Sequence, residues 1–221
     1  MARSAVLLDA DGTLVDSNYH HALAWKRAFA AHGFDVPTAW IHRRIGQGSG
    51  QLMEALIGEA HDDVKKAWRR EFDGLRAEVR LLPGARELVR ELAGRRLAVV
   101  LATSSEPEDV QVTVAMLDVG DALSAVTSAG DVEDAKPEPE VFTAAMAAAG
   151  VGPGESLAVG DSVWDVEAAR RAGVDCVCVT TGGTSEAELR EAGAAAIYPT
   201  LVELAAELDR GPLARLLARD A

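Results

Sequence analysis

Three carboxylates stand directly after short apolar runs in this chain of 221 residues. Asp9 and Asp11 follow the run at 5–8, and Asp161 follows the run at 157–159. If both runs are parallel strands, the carboxylates meet beyond the carboxyl ends, where open α/β sheets bind ligands. Carboxylates this close repel one another, and Mg²⁺, which prefers oxygen ligands, relieves the repulsion. The pattern therefore predicts a Mg²⁺ site.

An aspartate beside a bound Mg²⁺ is also a suitable nucleophile for phosphoryl transfer. Its carboxylate can attack phosphorus and form an aspartyl phosphate, while the metal neutralises the phosphoryl oxygens. The alternative for Asp9 and Asp11 is structural, because aspartates often hydrogen-bond to the backbone of turns. The presence of Asp161 after a second apolar run favours the functional interpretation.

Lys136, Thr103 and Ser104 are further candidates for a phosphate site. Lys136 is one of four lysines, against 18 arginines, and it precedes a predicted helix, where a cation opposes the helix dipole. Either the acidic residues within 131–140 compensate this charge, or Asp9 and a bound phosphate do, and we favour the second. The hydroxyls of Thr103 and Ser104 can end a strand, or they can bind a phosphate oxygen together with the N–H groups of the next helix.

Asp165 lies four positions after Asp161 and has two interpretations. It can complete a capping box with Ser162 at the start of a helix. It can also support a metal site from behind the ligands, and we favour this functional role.

The spacing of apolar residues predicts the elements that bring these groups together. Short runs with few polar residues are typical of strands buried on both faces of a parallel sheet, and they lie at 5–8, 97–101, 124–126, 157–159 and 174–179. Helical stretches alternate with them at 84–92, 105–117, 139–149, 162–172 and 185–191, and capping boxes are predicted at 105–108, 162–165 and 185–188. Strand–helix alternation predicts a doubly wound parallel α/β sheet.

Residues 16–80 differ from the rest of the chain. All five histidines and seven of the ten aromatic residues lie there, and apolar residues recur at helical spacing with no convincing strand. We therefore predict an all-helical insert at 16–80 in an α/β core formed by 1–15 and 81–221.

Composition excludes several classes of partner. The chain carries 22 basic and 35 acidic residues, for a net charge of −13, whereas nucleic-acid binding needs a basic patch. No apolar run approaches the length of a membrane helix, and no signal peptide opens the chain. Cys176 and Cys178 lie in a strand-like run, so we expect reduced core thiols in a cytoplasmic protein with no nucleic-acid or membrane partner.

The four motifs together resemble those of the haloacid dehalogenase-like hydrolase superfamily. They are Asp-x-Asp-Gly-Thr at 9–13, a hydroxyl at 103, Lys-Pro at 136–137 and Gly-Asp-x-x-x-Asp at 160–165, in this order. The helical insert is similar to the type 1 cap of the phosphoglycolate phosphatase and β-phosphoglucomutase branch. The resemblance implies a Rossmann-like core, a cap and Mg²⁺.

The resemblance also implies a role for each motif residue. Asp9 is then the nucleophile and Asp11 the general acid and base, and Thr103 and Lys136 hold the phosphoryl group. Mg²⁺ is held by the Asp9 and Asp161 carboxylates and by the backbone carbonyl of Asp11. An acid at position 11 implies phosphoryl transfer, because dehalogenases and phosphonatases of the superfamily generally lack one there.

Substrate selection is expected to lie in the insert. The segment 19–26 resembles the entry to the cap of β-phosphoglucomutase-like proteins, which would place His21 near the site; an exposed helix position is the alternative. Arg43, Arg44 and Gln47 are the other candidates. A mutase also needs a cap cation for a second phosphate, but Ser49 stands where the mutase pattern has an arginine, and Gly160 replaces the glutamate of its fourth motif.

We therefore predict a Mg²⁺-dependent phosphomonoester hydrolase that acts on a small phosphorylated metabolite through an aspartyl phosphate. The alternatives are a sugar phosphomutase and a non-catalytic scaffold that binds phosphorylated ligands. The sequence specifies neither the substrate nor the oligomeric state.

Overall fold

The central element of the molecule is a six-stranded parallel sheet. A computed structural model describes residues 4–128, 130 and 135–218. The strand order is β5-β4-β1-β6-β7-β8, with β1 at Ala5–Leu8, β4 at Ala98–Ala102, β5 at Ala125–Thr127, β6 at Ser156–Gly160, β7 at Asp175–Val179 and β8 at Ala196–Tyr198. All neighbouring pairs are parallel, which confirms the predicted fold class.

Helices cover both faces of this sheet. They are α5 (Ala85–Gly94), α6 (Pro107–Leu117), α7 (Glu140–Ala149), α8 (Val163–Arg171), α9 (Glu186–Ala192), α10 (Leu201–Ala206) and α11 (Gly211–Leu217). Alternate side chains of β1 enter two hydrophobic clusters: Val6 and Leu8 pack in one, and Ala5 and Leu7 in the other. Burial on both faces explains why these strands are continuous apolar runs.

Four α-helices lie along the chain between β1 and α5. They are α1 (Asn18–Ala31), α2 (Thr38–His42), α3 (Ser49–Ile57) and α4 (Asp62–Leu75). Their aromatic side chains pack together, with the rings of Trp25 and Trp68 stacked at 5.0 Å. Two short strands, β2 (Val15–Asp16) and β3 (Arg80–Leu81), pair antiparallel where the chain enters and leaves these helices. The expectation of no strand within 16–80 was therefore wrong at its two ends.

Some local predictions hold and others do not. Capping boxes are present at Ser162–Asp165 and Ser185–Glu188, as predicted. The box predicted at 105–108 is wrong: α6 begins after Glu106 without a side-chain cap, because the Ser105 hydroxyl bonds to Asp11 instead.

No helix among the described residues is long and apolar enough to cross a membrane. Cys176 and Cys178 are buried free thiols whose Sγ atoms lie 3.8 Å apart.

Candidate active site

The polar residues that follow β1, β4 and β6 meet at one edge of the sheet. β1 lies between β4 and β6, so Asp9, Thr103 and Asp161 emerge side by side from their strands. Gly12 has a φ of +79°, which favours glycine, and it turns the chain sharply after Asp11. A Cβ at this position would also overlap the carboxylate of Asp161. The turn that carries the first motif is thus packed directly against the fourth motif.

Lys136 lies at the centre of this edge and is 2% exposed. Its ammonium group donates a hydrogen bond to Asp9 Oδ1 and lies 2.7 Å from Asp165 Oδ1. Burial alone would lower the pKa of Lys136, but the two carboxylates raise it above its ordinary value, so the side chain stays charged. Of its two predicted sets of anionic partners, the ammonium contacts Asp9; residues 131–134 lie outside the described residues.

Asp165 completes the predicted capping box and also contacts the buried ammonium of Lys136. Its Oδ2 accepts hydrogen bonds from the Ser162 hydroxyl at 2.6 Å and from the backbone N–H groups of Ser162 at 3.1 Å and Asp161 at 3.3 Å. Its other oxygen is left to face Lys136. The helix cap and the contact to the buried ammonium therefore use different oxygens of one carboxylate.

Asp161 is held by Thr13, the last residue of the first motif, and by Asn18, which belongs to no motif. The Thr13 hydroxyl donates to Asp161 Oδ1 at 3.1 Å, and the Asn18 amide donates to Asp161 Oδ2 at 2.9 Å. Asn18 also donates to the carbonyl of Gly182 at 3.2 Å. Asn18 is the single asparagine of the chain, a compositional signal that could have drawn attention to it.

The buried carboxylates fit a divalent cation. Asp9, Asp161 and Asp165 each offer an oxygen within 4.8 Å of the others, and all three are buried. Burial raises the pKa of Asp9 to about 7, with a further increase from Asp165 and an opposing effect of Lys136. Burial and the neighbouring carboxylates also raise the pKa of Asp161 well above its ordinary value. One ammonium does not compensate these charges, and a hard cation would.

Asp11 points away from that group and into a different set of contacts. Its Oδ1 accepts hydrogen bonds from Ser17 and from His21 Nε2, the latter at 3.2 Å, and its Oδ2 accepts one from Ser105. Burial would raise the pKa of Asp11, but His21 and the two hydroxyls lower it below its ordinary value. Asp11 is therefore an ionised acceptor in this structure.

A cavity of about 340 Å³, here called the Asp9 cavity, opens above these residues. Its walls include Asp9, Asp11, His21, Gln47, Thr103, Ser104 and Lys136. The Thr103 hydroxyl lies 2.9 Å from the Ser105 hydroxyl, and the Ser104 hydroxyl is buried without a hydrogen-bond partner among the described residues. Both residues thus line the cavity wall.

The cap candidates separate into two groups. His21 is buried and stacks on Phe72 at 3.8 Å, which excludes its alternative placement on an exposed helix face. It lines the Asp9 cavity with Gln47. Arg43 and Arg44 instead line a second cavity of about 490 Å³, which is also lined by Trp164 and Asp161; we call it the Trp164 cavity. Arg43 and Arg44 do not line the Asp9 cavity, so they are not placed to contact a substrate there.

Gly160, the first residue of the fourth motif, and Gly182, which belongs to no motif, are both required by close packing. A Cβ on Gly160 would overlap the carboxylate of Asp165, and one on Gly182 would overlap that of Asp161. Neither position has a positive φ, so the requirement is for space around the acidic side chains.

Comparison with known proteins agrees with the motifs. A family model described as haloacid dehalogenase-like hydrolase matches residues 4–173, which confirms the resemblance. The chain is 30% identical over 187 residues to validoxylamine A 7'-phosphate phosphatase of Streptomyces hygroscopicus subsp. limoneus, covering 82% of this chain and 87% of that protein. It is 32% identical over 187 residues to phosphoglycolate phosphatase of Yersinia pseudotuberculosis, covering 80% and 81%. The crystal structure of a hydrolase from Pseudomonas syringae has a TM-score of 0.88 at 31% identity, covering 94% of this chain and 98% of that one.

Proposed function

The chain belongs to the haloacid dehalogenase-like hydrolase family and is a phosphatase, and we propose that it hydrolyses a small phosphorylated metabolite through an aspartyl phosphate on Asp9, with Mg²⁺ as cofactor. The observation that carries the proposal is the pairing of Asp9 with a buried ammonium at the floor of a cavity. Asp11, two residues further on, faces the same cavity and supplies a group for proton transfer.

In the first half of the reaction, a carboxylate oxygen of Asp9 attacks phosphorus, and the bond from phosphorus to the leaving oxygen breaks. The leaving oxygen takes a proton from Asp11. Because Asp11 is ionised without substrate, it must first take a proton from solvent; an adjacent phosphate dianion favours this by raising the pKa of a nearby carboxyl. Thr103 and Lys136 hold the phosphoryl oxygens.

In the second half, water attacks phosphorus of the aspartyl phosphate, and Asp11, now ionised again, takes a proton from that water. The bond from phosphorus to Asp9 breaks, which releases inorganic phosphate and restores the carboxylate. Hydrogen bonds from Ser17, His21 and Ser105 favour the ionised form of Asp11 that this half requires. When bound by the carboxylates of Asp9 and Asp161 and the carbonyl of Asp11, Mg²⁺ would neutralise phosphoryl charge, with Asp165 as a supporting residue.

We also propose that the two parts of the chain have separate roles. Residues 1–15 and 81–221 form the catalytic core, and residues 16–80 form a cap that selects the substrate and excludes water from the site. Support comes from the walls of the Asp9 cavity, to which both parts contribute. A cytoplasmic location also remains a proposal, in keeping with the free thiols of Cys176 and Cys178.

Replacement of Asp9 tests the nucleophile. We expect Asp9→Asn to lower phosphate release by at least about three orders of magnitude, because an amide cannot attack phosphorus. The wild-type enzyme, quenched in acid during turnover, should carry phosphate on the peptide that contains Asp9, as measured by mass spectrometry. Asp35→Asn, which changes an exposed aspartate, is the control and should keep full activity. Activity retained by Asp9→Asn would contradict the assignment.

The same assay separates the alternatives. A sugar phosphomutase would interconvert isomeric sugar phosphates in the presence of a bisphosphate primer and release little free phosphate. A non-catalytic scaffold would release none, with Mg²⁺, from either a panel of metabolites or a generic aryl phosphate. Net release of inorganic phosphate, lost on addition of EDTA and restored by Mg²⁺, is the result that we expect.

A further inference from the structure

We infer that the leaving group accepted by this site is uncharged and rich in hydroxyls, so that the substrate is a polyol or sugar monophosphate rather than a carboxylate-bearing or doubly phosphorylated compound. The inference rests on the proposed phosphatase function and specifies its substrate class. It is carried by the wall of the Asp9 cavity beyond the phosphate site.

Three residues of this wall carry polar side-chain atoms whose missing hydrogen-bond partners a ligand could supply. Gln47 Oε1, Gln51 Oε1 and Trp68 Nε1 are buried without a hydrogen-bond partner among the described residues, and all three residues line the cavity. Buried polar groups without partners are costly. The amide oxygens need donors, whereas the indole N–H needs an acceptor. A hydroxyl supplies both functions, while a carboxylate or phosphate supplies acceptors alone.

The charged residues of the wall indicate the same class of substrate. This argument does not depend on how the side-chain amides of Gln47 and Gln51 are oriented. Among the described residues that line the cavity, two are lysines, Lys65 and Lys136, and none is an arginine. Lys65 lies 3.0 Å from Glu106, and Lys136 is held by Asp9 and Asp165. A second anionic group on the substrate would therefore find no unpaired cation on these walls.

Two acidic residues on the same wall would add repulsion. Glu106 and Asp109 both line the cavity. Asp109 is bonded by Arg69 and lies 2.9 Å from Arg76, which keeps these guanidinium groups engaged on the acid rather than on a ligand. A neutral leaving group avoids desolvating another negative charge beside these carboxylates.

A matched pair of substrates provides the direct test. Glycerol 3-phosphate and 3-phosphoglycerate differ only in a terminal hydroxymethyl against a carboxylate, and p-nitrophenyl phosphate serves as the reference for phosphatase activity. We expect kcat/KM for glycerol 3-phosphate to exceed that for 3-phosphoglycerate by at least about tenfold. Equal kcat/KM values for the two substrates, or a higher value for 3-phosphoglycerate, would overturn the inference. Hydrolysis of p-nitrophenyl phosphate in the same experiment would still support the phosphatase function. Failure to hydrolyse any of the three would contradict both.

Glu106→Gln tests the charge argument. Release of Lys65 from Glu106 should raise kcat/KM for 3-phosphoglycerate several-fold. The ratio of kcat/KM for glycerol 3-phosphate to that for 3-phosphoglycerate should therefore decrease. An unchanged ratio would count against the role of this pair and against the inference.

Gln51→Leu tests the hydrogen-bonding argument, because it removes an amide acceptor at similar size. We expect KM for glycerol 3-phosphate to rise about three- to tenfold, with a smaller change for 3-phosphoglycerate. Gln111→Leu, on the exposed surface of α6, is the matched control. If Gln51→Leu does not fold, as judged by circular dichroism, Gln47→Leu replaces it. An equal change in KM for both substrates would overturn the inference.

Discussion

The ammonium group of Lys136 donates a hydrogen bond to the carboxylate of Asp9, although 127 positions separate the two residues. The same ammonium faces Asp165, so that one buried cation joins the first and last motifs of the site. Breaking a buried ion pair leaves an uncompensated charge, which costs far more than the loss of a surface pair. The contact therefore links the stability of the fold to the position of the proposed nucleophile.

Replacement of Lys136 should affect stability and activity together. We expect Lys136→Met to lower the free energy of unfolding by about 3 to 5 kcal/mol and kcat by at least about a hundredfold, measured by urea titration and phosphate release. Lys66→Met is the control, because Lys66 is exposed and its ion pair with Asp63 is a surface contact at 3.4 Å. A variant with wild-type stability would show that Lys136 does not compensate the buried acids.

The raised pKa of Asp9 predicts how stability depends on pH when metal is removed. Its value of about 7 lies above the ordinary 3.8, so between about pH 4 and pH 7 the folded chain keeps a proton that the unfolded chain has lost. The folded state then binds more protons, and its stability falls as pH rises through this window. Melting temperatures in EDTA should show this fall, and Asp9→Asn should reduce its slope.

Mg²⁺ should oppose this loss, because it favours the ionised carboxylates. We expect Mg²⁺ to raise the melting temperature more at about pH 8 than at about pH 5, since protons compete with the metal at the lower pH. Equal stabilisation at both values would argue that the cation binds away from Asp9 and Asp161.

Gly182 provides a test of the packing around Asp161. A Cβ at this position would overlap the Asp161 carboxylate, so Gly182→Ala should displace that side chain and raise the Mg²⁺ concentration needed for half-maximal activity about 10- to 100-fold.

Gly74 is the matched control for this substitution. It lies within α4, and a Cβ there would meet no heavy atom within 4 Å. Gly74→Ala should keep the Mg²⁺ dependence and stabilise the chain by about 0.5 to 1 kcal/mol. The same Mg²⁺ dependence in both variants would contradict the proposed role of Gly182.

Local patterns predicted the elements well where they were long or strongly periodic. The central strands were found because burial on both faces produces continuous apolar runs, and α8 and α9 were found with their capping boxes. β8 and the last two helices were missed, since β8 has three half-buried residues and α10 and α11 are short. Such segments depend on packing against the rest of the molecule more than on their own sequence.

The sequence by itself determined which chemical groups follow the strands: two aspartates after β1, a threonine after β4 and an aspartate after β6. The alternation of strands and helices then required those groups to share one edge of a parallel sheet. Only the tertiary structure decided their partners. Asn18 reaches Asp161 across 143 positions, and the Ser105 hydroxyl bonds to Asp11 rather than capping α6. Contacts of this kind depend on where the elements pack, and no periodicity along the chain encodes them.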